Sequence, residues 1–398
     1  MNHNFRSVAL FTYSTLPRGS VVHTAYLAEA LHDAGWLVTV HALDKDGRGF
    51  FRPLRARVRL VPAGPPPPST AALVRQRRQE LADFLRARSP GHDVYHAQDC
   101  LTANALLDLR AEGLVPAVVR TVHHLERFTD PYLAECQERS IREATLCLTV
   151  SEATARDVAR AFGVRALCVG NGVAVTRFAR ADPGRVQRWR RRLGSGGPVV
   201  LAVGGVEERK NSLRILGAFA RVCARHPDAR LWILGGATVL DHGAYRDSFA
   251  HAMAALPRAT RAAVVELGVI ADAEVPALFQ AAQVLALPSL HEGFGLAALE
   301  ALAAGLPVVA SHRPPFTEFL DGSCATLVDP LSEEAIAQGI LSALASAGTH
   351  RTAGQRRARS HSWRQVAAAH VEHYRSVTTP LRKERVPHAR DALHRPLA

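Results

Sequence analysis

The sequence predicts an α/β protein of two Rossmann-like, doubly wound parallel-sheet domains facing each other across a cleft. Short β-branched runs alternate with longer amphipathic stretches almost throughout, the pattern of βαβ units. The alternation stops once, at 181–197 (ADPGRVQRWRRRLGSGG), and then restarts. The 398 residues suffice for two domains of roughly 150–200 residues each.

In the first half, SVALFTYS (7–14) reads as a strand and VVHTAYLAEALHDAG (21–35) as a helix with Ala25, Ala28 and Leu31 on one face and a glycine stop. WLVTVHAL and VRLVPAG follow as strands, the latter leading into the stiff loop PPPPST. DVYHA, AVVRTVHH, CLTVS and LCVGNGV complete the series, with Asn171-Gly172 expected to supply positive φ in a turn. Past the arginine-rich break, which predicts a hinge, PVVLAVGG, ARLWILGG, AVVELGVI, QVLALPSL and LPVVAS read as strands. Helices are expected over 211–225, near 245–264, over 274–282, after EGFG and over 362–377. The last residues, 379–398, are polar and basic and predict a frayed tail.

Composition narrows the function. Apolar residues are 47% and charged residues 21%, the balance of a soluble globular protein. Runs such as AAQVLALPSL fall short of a membrane span. MNHNFRSVALFTYST lacks the charged flank and cleavage site of a secretory signal, so a cytoplasmic protein is expected. Six scattered cysteines without a C-x-x-C pair predict free thiols. The formal charge of +13 is almost all arginine, with lysine only at 45, 210 and 383. No zinc finger, RNP-type motif or basic recognition helix accompanies it, which argues against nucleic acid as a partner. A solvated arginine surface is expected, with weak association at an anionic membrane face as the second reading.

Ligands of open α/β sheets sit at the carboxyl ends of the strands, and polar residues gather there. Gly293 and Gly295 in HEGFGL let the backbone turn tightly before a helix, whose first N–H groups form an anion site. Glu292 stands at its lip, where it could also cap the helix. Glu300 lies among alanines and leucines and reads equally as a surface carboxylate or a ligand group. In VGGVEERKNS, Arg209 and Lys210 precede a helix start, where cations oppose the dipole unless an anion lies between. The alternative is an exposed turn. Gly19 and Ser20 open the first helix without a G-x-G-x-x-G pattern, which disfavours a dinucleotide dehydrogenase. His96, Gln98, Asp99, His123 and His124 follow strands. A histidine there can bond a hydroxyl or move a proton, although a structural role is the commoner one. No metal site is predicted, because adjacent His123 and His124 would face opposite ways on a strand.

The run HEGFGLAALEALAAGLPVVAS resembles the E-x7-E motif of the retaining glycosyltransferases of family 4, which have the GT-B fold. PRGSVVHTAYLAEALHDAGWLVTV, TVHH, LTVSEATARDV, VGNGVAVTRF, VGGVEERKN, LGVIADAEVPALFQAAQVLALPS and SWRQVAAAHVEHYRSV are similar to further family motifs, in the family's order, over about 7–377. The resemblance implies a nucleotide-sugar donor with no metal or other cofactor, and an acceptor that it leaves unidentified. It implies an acceptor-binding domain over 1–180, a hinge over 181–197, a donor-binding domain over 198–361 and a helix over 362–378 packing back on the N-terminal domain. Glu300 would bind the ribose hydroxyls, and Glu292 would face the donor sugar. Backbone N–H groups of Phe294, Gly295 and Leu296 would meet sugar or phosphate. Lys210 would neutralise the diphosphate, and Gly19 and Ser20 would offer it N–H groups from the facing domain. His123 would contact the donor sugar, with Glu292 the second catalytic candidate, and Val269 would meet the base. One departure stands out: many members carry an arginine where this chain has Gly205, and Arg209 is the candidate to replace its charge.

Against hydrolysis, two carboxylates eight positions apart at a helix start do not straddle a sugar. A phosphorylase would need a pyridoxal-bearing lysine in the second domain, and beyond Lys210 only Lys383 follows. A nucleotide-sugar-binding protein without catalysis would keep Glu300 and Lys210 but has no need of His123 and Glu292.

Overall fold

The computed structural model describes residues 6–88, 91–192, 196–236, 243–346, 348 and 350–378; the basic tail at 379–398 lies outside the described residues. Two all-parallel sheets form its two layers' centres. The first holds β1 (Ser7–Thr12), β2 (Leu37–Asp44), β3 (Arg57–Pro62), β4 (Val94–Ala97), β5 (Val118–Val122), β6 (Leu146–Thr149) and β7 (Leu167–Cys168). The second holds β8 (Val199–Val203), β9 (Arg230–Leu234), β10 (Val264–Gly268), β11 (Val284–Leu287), β12 (Val308–Ser311) and β13 (Thr326–Val328). Their orders are β3-β2-β1-β4-β5-β6-β7 and β10-β9-β8-β11-β12-β13. Central strands such as VVLAV and VLAL are apolar on both faces because helices cover both sides.

Each sheet reverses its strand order once, between β1 and β4 and between β8 and β11. Helices leave on opposite sides at such a point, and a crevice opens beyond the strand ends. The chain places Tyr13, Gln98 and Asp99 at the first of these ends, and Gly204, Gly205, Ser289 and Glu292 at the second.

The helix Trp363–Thr378 returns to the first domain. Trp363 stacks on Tyr26 at 5.3 Å and 16°. Tyr374 is fully buried among the core residues that include Val8, Leu10 and Leu27. Chain crossover and return meet at the VGNG loop. There the positive φ falls on Gly170, not on Asn171 or Gly172 as the sequence predicts. Asn171 is buried and accepts at 2.7 Å from His23 Nδ1. Gly172 is needed because a Cβ would stand 2.6 Å from the Trp363 nitrogen.

The stretch read as a hinge is not all irregular. It contains a helix, Pro183–Arg192, which buries Val186 and Trp189 against the second domain. Trp189 Nε1 donates to Glu274 Oε2 at 2.9 Å, and Arg185 pairs with the same carboxylate at 2.7 Å. Val186 and Trp189 are spaced for one helix face, and proline fits a helix start. The helix expected near 245–264 is two, Gly243–Ala255 and Arg258–Ala262, parted at Pro257. The six cysteines are free, and among the described residues no helix is long and apolar enough to cross a membrane.

Candidate functional site

The end of β8 is shaped by glycine. Gly204 has φ +124°, and a Cβ there would overlap the Lys210 side chain, which runs back across it. Gly205 has φ +75° and packs 3.1–3.2 Å (measured from an added Cβ) from the carbonyls of Gly235 and Gly236. An arginine is strained at that position.

Arg209 Nη2 pairs with Glu207 at 2.9 Å, and its Nη1 lies 3.7 Å from Glu292. Lys210 Nζ makes a direct ion pair with Glu292 Oε1, and Ser289 Oγ donates to the same oxygen at 3.0 Å. Both partners are largely enclosed, with side chains 13% and 8% exposed. Burial raises the Glu292 carboxyl, but the Lys210 and Arg209 charges and two hydrogen bonds outweigh it and hold it below its usual range. Burial lowers the Lys210 ammonium even beside this carboxylate. A second anion at Lys210 would relieve that penalty.

The turn from Glu292 to the helix Leu296–Ala304 brings the two domains into contact. A Cβ on Gly293 would overlap the His123 carbonyl oxygen. Gly295 caps the helix at φ +99° with no side-chain hydrogen bond to its first N–H groups. Phe294 stacks on Phe319 at 4.7 Å and 3°, so its ring belongs to the core. Leu296 packs against the first domain's core.

Glu300, on the same helix, is partly buried and has no hydrogen-bond partner among the described residues. Burial pushes its carboxyl up to about 8, with Arg177 pulling down and Asp272 adding to the rise. Arg177 is already engaged: it bonds the Tyr26 hydroxyl and pairs with Asp272 at 2.9 Å. Tyr26, Arg177 and Asp272 come from three separate segments, and no local pattern announces their meeting. Val269 is 59% exposed and stands over Gly236, where a Cβ would come 2.8 Å from its Cγ2.

From the first domain, Gly19 and Ser20 begin the helix Gly19–Asp33, whose N-cap Arg18 makes no side-chain cap. Space around Gly19 is open. His123 Nε2 lies 3.0 Å from Gln98 Oε1, and Gln98 Nε2 lies 3.1 Å from His96 Nε2. An amide nitrogen only donates. His96 Nε2 must therefore accept, from Gln98 and from Thr121 Oγ1 at 2.7 Å, while Nδ1–H donates to Tyr374 at 2.7 Å. The same logic puts the His123 proton on Nε2 and leaves the Nδ1 lone pair without a hydrogen bond among the described residues. Burial, helped by His23 and Arg120, holds His123 neutral. His124 turns away and meets Glu126 at 2.5 Å. The structure thus gathers Lys210, Arg209 and Glu292, sets His123 against Gly293, and puts Glu300 in a separate niche. Among the described residues no group of three or more His, Cys, Asp or Glu is arranged to hold a metal.

Residues 17–177 match the family described as Glycosyltransferase Family 4, and residues 185–361 match Glycosyl transferases group 1. The chain is 29% identical over 349 residues to the MMP α-(1→4)-mannosyltransferase of Mycolicibacterium hassiacum, covering 78% of this chain and 76% of that one. It is also 29% identical to the D-inositol 3-phosphate glycosyltransferase of Corynebacterium urealyticum, over 74% of each. In fold it is similar to sucrose-phosphate synthase from Thermosynechococcus elongatus, with TM-score 0.76, 21% identity and 94% and 99% coverage. HepE of Anabaena, solved with UDP-glucose, gives TM-score 0.71, 18% identity and 93% and 99% coverage. The chain belongs to the family 4, group 1 glycosyltransferases of the GT-B fold.

Proposed function

We propose that the protein transfers a sugar from a nucleotide-diphosphate sugar to an acceptor hydroxyl, with retention at the anomeric carbon and without a metal. The observation that carries this reading is the pair of carboxylates on one glycine turn and helix. Glu292 is neutralised by Lys210, and Glu300 has no hydrogen-bond partner among the described residues. A diphosphate flanked by a sugar and a ribose presents hydroxyls at both ends and negative charge between, which suits this spacing.

In this reading Glu300 accepts hydrogen bonds from the ribose diol, and Val269 lies along the base. Lys210, Arg209 and the N–H groups at Phe294–Leu296 hold the diphosphate, with Gly19 and Ser20 opposite. Glu292 and the Nδ1 of His123 bind sugar hydroxyls. The C1–O bond to the diphosphate breaks through an oxocarbenium-like transition state. The acceptor oxygen bonds C1 on the same face and passes its proton to a departing phosphate oxygen. Charge on the leaving group is met by fixed groups that need no reorganisation. Contact between Gly293 and His123 keeps water from the reacting atoms when the domains meet.

The test is a thermal-shift screen against UDP, GDP, ADP, CMP and dTDP and their sugars, with and without EDTA. Stabilisation of several degrees by one nucleotide family, indifferent to EDTA and lost in Glu300→Ala, supports the proposal. No shift with any nucleotide counts against it.

A further inference from the structure

Lys45, just beyond β2, is one of only three lysines in the chain. Its ammonium sits 5.1 Å from the centre of the Tyr13 ring at the end of β1. It is partly buried and has no ion pair or hydrogen bond among the described residues. The groups around it are committed elsewhere. Asp46 pairs with Arg48 at 3.5 Å. Asp99 accepts from the backbone of Tyr13 at 3.0 Å and of Thr102 at 2.8 Å. Arg77 is held by Glu80 and by the Gly64 carbonyl, each at 2.7 Å. Burial, then Arg18 and Arg77, lower the Lys45 ammonium to about 8 against the pull of Asp99 and Asp46. Tyr13 also feels Arg18, Arg209 and Glu207, so this wall faces the second domain across the cleft. An unpaired, desolvated cation crowded by other cations is unfavourable unless an anion joins it.

We propose that the acceptor carries an anionic group, phosphate or carboxylate, bound by Lys45 beside Tyr13. This rests on the transferase reading. The donor diphosphate has its own cations in Lys210 and Arg209, on the other domain. Lys45 lies one strand outward from the β1–β4 reversal, which suits an acceptor whose hydroxyl points toward Glu292 while its charged end stays on the first domain.

The experiment is amine-selective labelling of the full chain near neutral pH, read by mass spectrometry. With three lysines in the chain, each labelled peptide is resolved separately. The protein is first saturated with the best-binding nucleoside diphosphate from the screen. Inorganic phosphate, glucose 6-phosphate, glucuronate and glucose are then added in separate arms. The expected result is several-fold protection of Lys45 by the charged probes and none by glucose; phosphate against glucuronate identifies the anion. Thermal stabilisation by the protecting probe should vanish in Lys45→Met, while stabilisation by the nucleotide persists. Equal Lys45 labelling in all arms overturns the proposal. So does full protection by the nucleotide alone, which would give this cation to the donor. Lys210 reports separately: if no nucleotide protects it while charged probes still protect Lys45, the anion site stands and the donor reading fails.

Discussion

Glu300 offers a prediction whose size follows from its surroundings. An ordinary glutamate has the value 4.5, and burial raises this one to about 8. The difference corresponds to roughly 5 kcal/mol in favour of the protonated carboxyl. At neutral pH about nine-tenths of the free protein is therefore protonated at Glu300. A carboxyl that must accept two hydrogen bonds from a ribose diol has to ionise first, so affinity for a nucleotide sugar should rise roughly twentyfold from about pH 6.5 to 8.5. Nucleotide sugars lack a terminal phosphate that titrates in this window, which makes them better probes than free diphosphates. Titration calorimetry on wild type and Glu300→Gln across the window isolates the effect. Binding at neutral pH should also release close to one proton, seen as a dependence on buffer ionisation heat. Stability moves the other way. A carboxyl raised in the folded state contributes stability that is present below its unfolded value and lost as pH rises through about 8. Wild type should therefore lose ground to Glu300→Gln in Tm between about pH 5 and 8. A flat affinity profile in wild type, or a slope that survives in Glu300→Gln, would refute the reasoning.

Three further predictions concern the site's other residues. Lys210→Met removes charge from the leaving group and should lower kcat by about 10²–10³-fold; it also strands Glu292 at a cost of about 3–5 kcal/mol. The double variant Lys210→Met/Glu292→Gln should regain most of the Tm but not the turnover, as denaturation and rate assays on the same samples would reveal. Gln98→Leu frees the His123 ring and leaves His96 short of a donor, so we expect about 1–3 kcal/mol lost in denaturant melts, a reduced kcat and little change in nucleotide affinity. Gly293→Ala forces the turn off the His123 carbonyl, and should abolish transfer while far-UV circular dichroism and nucleotide-induced stabilisation are retained; full activity would show that this contact does not matter.

Strands and their order of appearance were legible because buried parallel strands are apolar on both faces, as in VVLAV and VLAL. In 181–197 the arginines hide a helix. Arg185, Arg190 and their neighbours suggest a linker, yet Val186 and Trp189 suffice to dock a helix once Glu274 is beside them. The short strand β13 has only three residues, TLV, too few to show a period. At the site, glycine turns and the spacing of Glu292 and Glu300 could be read directly, because backbone conformation and helix geometry are local. What Lys210 touches could not, since Glu292 is 82 residues away. The chain from His123 through Gln98 and His96 to Tyr374 ends 278 residues from His96. Nor does the sequence say why Gly205 replaces an arginine. That depends on its positive φ and on the neighbouring Gly235 and Gly236 carbonyls.

The most direct test of the central claim is to follow the nucleotide sugar that stabilises the protein by proton NMR, with water as the default acceptor. The account predicts slow release of the nucleoside diphosphate, with the first-formed sugar keeping the donor's anomeric configuration. Release should be unchanged by EDTA and lost in Lys210→Met. An inverted first product, release that stops in EDTA, or release that persists in Lys210→Met would contradict it.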